Sequence, residues 1–387
     1  MAVDTNWSGR TEKQVLDLAC RIIKKSSRES PADAVLRQEL RGHQVLAPGV
    51  ASRVSRAVFS YYRWFGWLEK PGSSPGFVKL ALQLADNFAK EPEKFSDSEL
   101  ITKAVPGWVS KEMEVNAAWV RSLQNEPGLW LRARPGEGSS LAAELGGCEQ
   151  FGTGQLGSTL RYFGREDLFR TSAFHTGRFE IHDLSSQAVG LVCDPRAGEF
   201  WWDACAGEGG KTLHLSDLME NKGLIWATDR AAWRLQRLKR RAARAGVFNY
   251  RTAVWSGSAK LPTKTKFDGV LLDAPCTGIG TWQRNPHARW TTTPEDVDEL
   301  STLQKQLLVN AAAGVKSGGR LFYVVCTLTN AETVQVIKSF EKDHPEFERL
   351  KLHNPLRQGG NPCNELWMWP QEHPGSNGMF ATAWVKR

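Results

Sequence analysis

The chain has no pair of cysteines at the close spacing that structural zinc sites use. Its seven cysteines are an odd number spread over 387 residues, and no two are separated by only two residues. An odd, widely spaced set in a long chain also argues against a disulfide framework. We therefore expect free, reduced thiols and no metal site.

The chain also lacks a long apolar segment. No stretch approaches the ~20 apolar residues that a membrane-spanning helix needs, and the polar segment Met1 to Arg10 has no signal-peptide core. Hydrophobic residues make up 41% and charged residues 24%, as in ordinary globular proteins. These features predict a cytoplasmic protein without a membrane partner, and we expect it to be a monomer.

The charge balance is basic. The net charge is +8 and the sequence pI is about 9.1. Such a balance favours an anionic partner such as nucleic acid. Many proteins with small substrates are equally basic, so the charge alone does not separate the two kinds of partner.

The residue patterns predict three domains, because 387 residues are too many for one ordinary domain. Apolar residues recur at intervals of three and four from about residue 12 to 103, which predicts an all-helical domain over residues 1–105. A predicted strand at Gly128–Arg134 lies in a small α+β linker domain over residues 106–176. Residues 177–387 form the third predicted domain.

Strands and helices alternate in this third domain. The predicted strands are Gly198–Cys205, Gly223–Asp229, Phe267–Asp273 and Gly319–Cys326, and the predicted helices are Lys211–Met219, Arg230–Ala245 and Pro294–Val315. The alternation predicts an α/β fold in which helices cover both faces of a parallel sheet. Ligands bind such sheets at the carboxyl ends of the strands, where the motifs below are found.

A glycine-rich segment, Asp203–Thr212, follows the first of these strands and opens a helix. Its glycines let the backbone turn sharply and approach a ligand closely. Asp229 ends the next strand, where an acid suits the two hydroxyls of a ribose. The phosphate-binding P-loop pattern fails because position 205 is cysteine, and the GxGxxG dinucleotide spacing is absent. A nucleoside-type cofactor is therefore predicted.

Two strands each end at a cysteine. Cys276 follows the strand that ends at Asp273, and Cys326 follows the strand Leu321–Val325. A buried cysteine taken singly is most often a small core residue. Carbon 5 of cytosine, however, becomes nucleophilic only after a thiolate adds to carbon 6, so a thiol beside a methyl-donating cofactor suits methylation of that atom. Asp273 is a candidate to hydrogen-bond the cytosine edge.

Taken together, these motifs resemble those of the Sun/Fmu-type RNA 5-methylcytosine methyltransferases, of the RsmB/NOP family. The resemblance is strongest from about Arg178 to the end of the chain. It is carried by the cofactor loop at 203–212, by Asp273–Gly280 with Arg284–Trp290, by Gly318–Thr327 and by Gly378–Ala381. It implies a Rossmann-like class I methyltransferase domain, an N-terminal domain similar to the NusB-like RNA-binding domain of the 16S rRNA-specific members, and S-adenosylmethionine as cofactor.

The resemblance also implies site residues. It makes Cys326 the nucleophile and Cys276 the residue that aids product release. The implied S-adenosylmethionine pocket consists of Cys205, Ala206, Gly207, Glu208, Gly209, Gly210, Lys211, Asp229 and Asp273. The implied partner is RNA, with 16S rRNA the first candidate, another RNA such as tRNA the second, and a catalytically weak ribosome-assembly factor the alternative class of function.

Some positions depart from the family pattern. Glu208 stands where proline is usual, Trp255 and Ser256 where an acid is expected near the adenine, and Val325 where threonine is usual. The segment Asn330-Ala-Glu332 replaces a more acidic run. None of these changes removes a group that the chemistry requires, and they mark a divergent member.

A predicted helix carries a stripe of arginines. The stripe consists of Arg230, Arg234, Arg237, Arg241 and Arg244, spaced four, three, four and three residues apart. It is either a solvated face or an edge that follows an RNA backbone. Trp282 and Trp290 lie close to Cys276 in the sequence and are either core residues or platforms for base stacking.

Overall fold

The computed structural model describes residues 9–42, 49–357 and 359–387, so the first eight residues of the polar N-terminal segment lie outside it. The chain forms two compact units. One takes in the described residues up to Pro127 together with Thr281–Pro294, and the other consists of Gly128–Gly280 with Glu295–Arg387. This division differs from the three domains expected over 1–105, 106–176 and 177–387, which remain a prediction about separate folding.

The N-terminal part of the first unit is helical, as expected. Its helices are α1 Gly9–Lys25, α2 Ala32–Gly42, α3 Val50–Arg63, α4 Pro75–Lys90, α5 Asp97–Lys103, α6 Val109–Glu112 and α7 Ala117–Gln124. Side chains at helical spacing on α3, such as Val54, Ala57 and Tyr61, are buried. Side chains of Ser96 and Asn116 accept backbone N–H groups and fix the starts of α5 and α7.

A small antiparallel sheet begins the second unit. Its strands are β1 Leu129–Ala133, β2 Cys148–Gln150, β3 Thr159–Tyr162 and β4 Phe179–Ile181, in the order β2-β3-β1-β4. Helices α8 Gly138–Leu145 and α9 Ser172–His175 accompany it. The strand expected at Gly128–Arg134 is present as β1.

The main sheet of the second unit has eight strands. They are β5 Phe200–Asp203, β6 Leu224–Asp229, β7 Tyr250–Val254, β8 Phe267–Asp273, β9 Val315–Val325, β10 Phe347–Arg349, β11 Glu365–Met368 and β12 Met379–Lys386. The main path runs β10-β12-β9-β8-β5-β6-β7, and β11 pairs with β12. Strands β5 to β9 pair in parallel.

The strands predicted from the sequence pair in parallel, and the sheet continues beyond them with an antiparallel edge. Strands β10, β11 and β12 are antiparallel to their neighbours. They lie near the end of the chain, where no crossover helix separates β11 from β12, so a direct return is the available connection.

Helices cover both faces of this sheet. They are α10 Leu184–Cys193, α11 Gly210–Leu218, α12 Ala232–Arg244, α14 Pro294–Ala312 and α15 Val334–Asp343. Successive strand residues enter opposite cores: Trp201 packs in the cluster that contains α10 and α11 residues, and Trp202 in the cluster that contains α14 and α15 residues. Both faces of the strands are therefore buried, as expected of a parallel sheet.

The segment Thr281–Pro294 packs within the helical unit. It contains the short helix α13, Ala288–Thr291, and its Trp282 and Arg289 are fully buried. The Arg289 guanidinium donates to the carbonyl oxygens of Arg63, Ala104 and Leu123, at 3.4, 2.9 and 3.1 Å. These carbonyls lie at the C-terminal ends of α3, α5 and α7, where backbone acceptors lack intrahelical partners and a positive charge is favoured.

No helix in the described part of the chain has the length and apolar character needed to cross a membrane.

Candidate active site

A cavity of about 540 Å³ opens at the carboxyl ends of the parallel strands in the second unit. The chain runs outward through β5, β6 and β7 and then returns to place β8 on the other side of β5. This reversal leaves a crevice beside β5 and β8, the usual ligand position in such sheets. The volume lies within the range of small-molecule sites.

The predicted cofactor loop forms one wall of this cavity. Cys205, Ala206, Gly207 and Glu208 line it together with Asp229. Both carboxylate oxygens of Asp229 accept backbone N–H groups, from Gly207 at 3.0 Å and from Ala231 at 2.8 Å. Asp229 therefore fixes the turn as well as facing the cavity.

The rest of the predicted loop begins helix α11. Gly209 precedes the helix with a φ of +87°, a conformation that favours glycine. Gly209, Gly210 and Lys211 are not among the residues that line the cavity. The loop thus has two parts: Cys205–Glu208 line the cavity, and the residues from Gly209 onward begin helix α11.

Lys211 acts through an aspartate of the cavity wall. Its buried ammonium donates to Asp273 Oδ2 at 2.6 Å, and Asp273 lines the cavity at the end of β8. Burial opposes a charged lysine, but the negative charges of Asp273 and, less strongly, Cys326 outweigh it and raise the pKa of Lys211. The ion pair places a positive charge against a carboxylate that lines the cavity.

Asp203 ends strand β5, two residues before the loop that forms the cavity wall. It is fully buried and accepts the Thr212 hydroxyl at 2.6 Å. Burial raises its pKa from 3.8 to about 7, and the nearby Asp273 charge acts in the same direction. Sequence reasoning did not single out this residue because it precedes the glycine turn inside the strand.

The two predicted cysteines come together. Cys276 Sγ and Cys326 Sγ are 3.1 Å apart, both thiols are free, and both residues line the cavity. The hydrogen bond between the thiols, burial and the negative charges at Cys326, Glu332 and Asp273 raise the pKa of Cys276 well above its ordinary value. The structure thus places a protonated thiol against a second cysteine.

Several cavity residues were missed or underrated from the sequence. Arg230 and Arg234 follow Asp229, while Leu303 and Leu307 come from α14. Trp255, Ser256 and Gly257 follow strand β7, which was not predicted, and they line the cavity at the positions where an acid was expected. The strand was missed because residues 250–254 are half exposed and show no continuous apolar run.

The arginine stripe on α12 is partly engaged within the protein. Arg241 and Arg244 both pair with the buried Glu180, at 2.8 and 2.5 Å. Arg237 pairs with Glu208 at 2.6 Å. The prediction of a continuous phosphate-binding stripe is therefore wrong for Arg241 and Arg244, whose charges compensate a buried carboxylate.

Trp282 and Trp290 belong to the core of the helical unit. Trp282 is fully buried, and the Trp290 indole donates to the Tyr62 carbonyl at 2.7 Å. Of the two readings of these tryptophans, the core reading is the one that the structure supports. Sequence proximity to Cys276 was a misleading guide, because the chain changes unit at Thr281.

The doubly wound sheet, the glycine turn and the cavity at the switch point are those of the Rossmann-like class I methyltransferase fold. Residues 190–385, half of the chain, match the family described as 16S rRNA methyltransferase RsmB/F, and the chain belongs to that family. The Sun/Fmu-type resemblance is thereby confirmed, whereas the NusB-like character of the helices stays a prediction.

Relatives and solved structures agree with this assignment. The chain is 36% identical over 213 residues to a probable ribosomal RNA small subunit methyltransferase B of Synechocystis, covering 54% of this chain and 47% of the relative. It is 36% identical over 223 residues to one of Bacillus subtilis, covering 56% and 50%. The chain thus spans about half the length of these curated relatives.

Two crystal structures share the fold. A methyltransferase homolog protein from Pyrococcus horikoshii has a TM-score of 0.60 at 27% identity, covering 70% of this chain and 90% of the other. The structure named PH0851 has a TM-score of 0.79 at 24% identity, covering 99% and 100%. The second likeness concerns the fold alone and extends over nearly the whole chain.

Proposed function

We propose that the protein methylates carbon 5 of cytosine in RNA, with Cys326 as nucleophile and Cys276 as the thiol that assists release. The observation that carries the proposal is the contact of two free thiols, 3.1 Å apart, at the edge of a nucleoside-sized cavity. Covalent catalysis on a pyrimidine ring requires one thiol as nucleophile. Packing alone does not require a second thiol in contact with the first, because an ordinary core residue could fill the same space.

The proposed cofactor is S-adenosylmethionine, and the residues present fit it. The carboxylate of Asp229 faces the cavity at the end of β6, as an acid that binds ribose hydroxyls would. Trp255 and Leu307 supply apolar surface for a base, and Gly207 and Gly257 bring backbone close without side chains. When bound, the cofactor supplies an electrophilic methyl group.

The mechanism assigns each group a step. The Cys326 thiolate adds to carbon 6 of the cytosine, which makes carbon 5 nucleophilic towards a methyl group. Once carbon 5 has taken the methyl group, a base removes the carbon-5 proton, the double bond between carbons 5 and 6 re-forms, and the carbon–sulfur bond breaks to release the Cys326 thiolate. Cys276 assists this elimination from its position against Cys326. Asp273, held by Lys211, hydrogen-bonds the cytosine edge and assists its protonation.

The proposed partner is 16S rRNA, in keeping with the family's description. The exposed part of α12 supports an RNA contact next to the cavity. Trp233 is 54% exposed, with the guanidiniums of Arg234 and Arg237 at 5.4 and 4.8 Å from its ring centroid. An exposed aromatic ring flanked by cations suits stacking on a base beside the phosphate backbone.

Methyl transfer to total RNA from labelled S-adenosylmethionine tests the proposal. Wild type, Cys326→Ala and Cys276→Ala are compared, with Cys363→Ala as the matched control outside the cavity. We expect no transfer by Cys326→Ala, and accumulation of a protein–RNA adduct by Cys276→Ala because release is impaired. Full activity of Cys326→Ala would refute the carbon-5 mechanism through that thiol, and label in tRNA rather than rRNA would refute the proposed substrate.

A further inference from the structure

A fully buried glutamate lies between the two cysteine loops. Glu332 follows Cys326 by six residues, in the loop between β9 and α15. Its side chain has no exposed surface. Burial of a carboxylate is costly unless hydrogen bonds or charges compensate it, so its surroundings need an explanation.

The Glu332 carboxylate accepts five hydrogen bonds. Oε1 accepts from the Thr277 backbone N–H at 2.9 Å and from Gln304 Nε2 at 3.0 Å. Oε2 accepts from the hydroxyls of Thr277, Thr327 and Thr329 at 2.5, 3.1 and 2.9 Å. All five donors are neutral groups, and their hydrogen bonds compensate the burial of the carboxylate.

These donors sit directly beside the two thiols in the sequence. Thr277 follows Cys276, and Thr327 follows Cys326. The hydroxyls of these threonines are also 3.0 Å from each other. One carboxylate therefore joins the residues immediately after the two cysteines, which belong to loops that leave different strands.

A second layer holds the glutamate itself. Gln304 on α14 donates to the Pro275 carbonyl at 2.8 Å as well as to Glu332. The buried Tyr323 hydroxyl lies 2.6 Å from the Glu332 carbonyl oxygen and 3.0 Å from Gln304 Oε1. Such a network, with each member satisfied, fixes one arrangement of its loops.

We propose that Glu332 is a positioning residue that holds Cys276 and Cys326 in contact and so makes the two-thiol chemistry possible. It acts through Thr277 and Thr327 and needs no contact with substrate or cofactor. This inference rests on the proposed function for its catalytic consequence, while its geometric consequence can be measured without RNA.

The electrostatic arrangement supports the same role. The Glu332 charge is one of the causes that raise the pKa of Cys276. Charge on Cys326 is in turn one of the causes that raise the pKa of Lys211. The negative charge of Glu332 favours a protonated Cys276, which suits a thiol that acts beside the nucleophile and not as the nucleophile itself.

The test measures how readily the two thiols form a disulfide in the full-length protein. Diamide, a diazene oxidant, takes one hydrogen from each thiol onto its nitrogens and joins the two sulfurs. Peptide mass mapping of the Cys276–Cys326 link gives the rate. Variants are Glu332→Ala, Glu332→Gln and Thr277→Val. The matched control is Glu341→Gln, which removes a carboxylate bonded to Arg349 and Trp384.

We expect disulfide formation to slow at least tenfold in Glu332→Ala and by less in Glu332→Gln. In Glu332→Gln the amide oxygen can still accept hydrogen bonds, and the threonine hydroxyls can rotate to accept hydrogen bonds from the amide NH₂ group. Thr277→Val should fall between wild type and Glu332→Ala, and Glu341→Gln should match wild type. With RNA, Glu332→Ala should lose kcat at least a hundredfold with KM for S-adenosylmethionine unchanged within twofold.

The outcomes separate the two proposals. An unchanged disulfide rate in Glu332→Ala overturns the positioning role even if wild type methylates RNA. If Glu332→Ala forms the disulfide more slowly but no protein in the set, wild type included, methylates cytosine, the positioning role is supported and the proposed function is rejected. If Glu332→Ala melts at a lower temperature, Glu332→Gln and Thr277→Val decide, and wild-type rates in both overturn the inference.

Discussion

At the scale of single residues, the buried Asp203 makes the stability of the fold depend on pH. One of its carboxylate oxygens accepts the Thr212 hydroxyl, while the other, Oδ1, is buried without a hydrogen-bond partner. An ionised carboxylate in this state is poorly compensated. Its pKa of about 7, against an ordinary 3.8, expresses that cost.

The consequence for stability has a definite sign. Because folding raises this pKa, the folded state binds the proton more tightly, so the stabilisation is complete below pH 3.8 and is lost as pH rises through about 7. Between pH 5 and 7 we expect the free energy of unfolding of wild type to fall relative to Asp203→Asn by on the order of 2–3 kcal/mol. Urea unfolding of both proteins at several pH values measures the difference.

The variant Asp343→Asn, at an exposed position on α15, serves as the control for the loss of one carboxylate in this series. A constant difference between wild type and Asp203→Asn from pH 5 to 8 would show that the folded and unfolded states bind the same number of protons at Asp203 in this range, and would contradict the prediction.

At the scale of elements, helix α12 divides its charges between structure and solvent. Arg241 and Arg244 compensate the buried Glu180. Lys239 and Arg240 are exposed, and no ion pair is found for them within residues 9–42, 49–357 and 359–387. Only cations of the second kind can exchange counterions for RNA phosphates without destabilising the fold.

This division predicts different outcomes for neighbouring substitutions. Replacing Lys239 and Arg240 together by Gln should reduce the slope of log affinity for RNA against log salt by about 1.4, since each cation on single-stranded RNA contributes about 0.7. The double variant Lys338→Gln, Lys342→Gln, on α15, removes the same charge elsewhere. Filter binding over a range of salt concentrations measures the slopes.

Equal slopes for the two double variants would remove Lys239 and Arg240 from the RNA interface. Arg241→Gln is expected to behave differently again, because it leaves Glu180 with one cation instead of two and lowers the unfolding temperature.

The elements that the sequence could predict are those whose signal is local. Strand β8 was predicted with its observed bounds, and α11 and α12 within one or two residues, because buried strands and amphipathic helices have regular apolar spacing. The approach of Cys276 to Cys326 followed from two strands that end at the same edge of a sheet. The Glu332 network was not predictable, since five donors from three separate segments converge only after folding.

At the scale of the whole molecule, the chain crosses between its two compact units three times. The segment Thr281–Pro294, which follows the Cys276 loop in the sequence, packs with the N-terminal helices. The Arg289 guanidinium donates to carbonyl oxygens at the C-terminal ends of three of those helices, and Trp282 is fully buried. Apolar periodicity could not reveal that this segment packs with the N-terminal helices, because its sequence has the character of an ordinary loop between β8 and α14.

The exchange makes a prediction about folding. A fragment of residues 128–387 keeps Thr281–Pro294 but removes the helices around it, so Trp282 loses its burial and Arg289 its carbonyl acceptors. We expect this fragment to bind a hydrophobic dye and to be cut by trypsin within the segment, whereas the full chain resists both. A second fragment, with the segment replaced by a glycine–serine linker of equal length, should bind less dye because the exposed apolar surface is gone. If the first fragment instead resists trypsin and dye like the full chain, residues 128–387 fold independently of the helices, and the predicted separation of a methyltransferase domain from an N-terminal domain would be the better description.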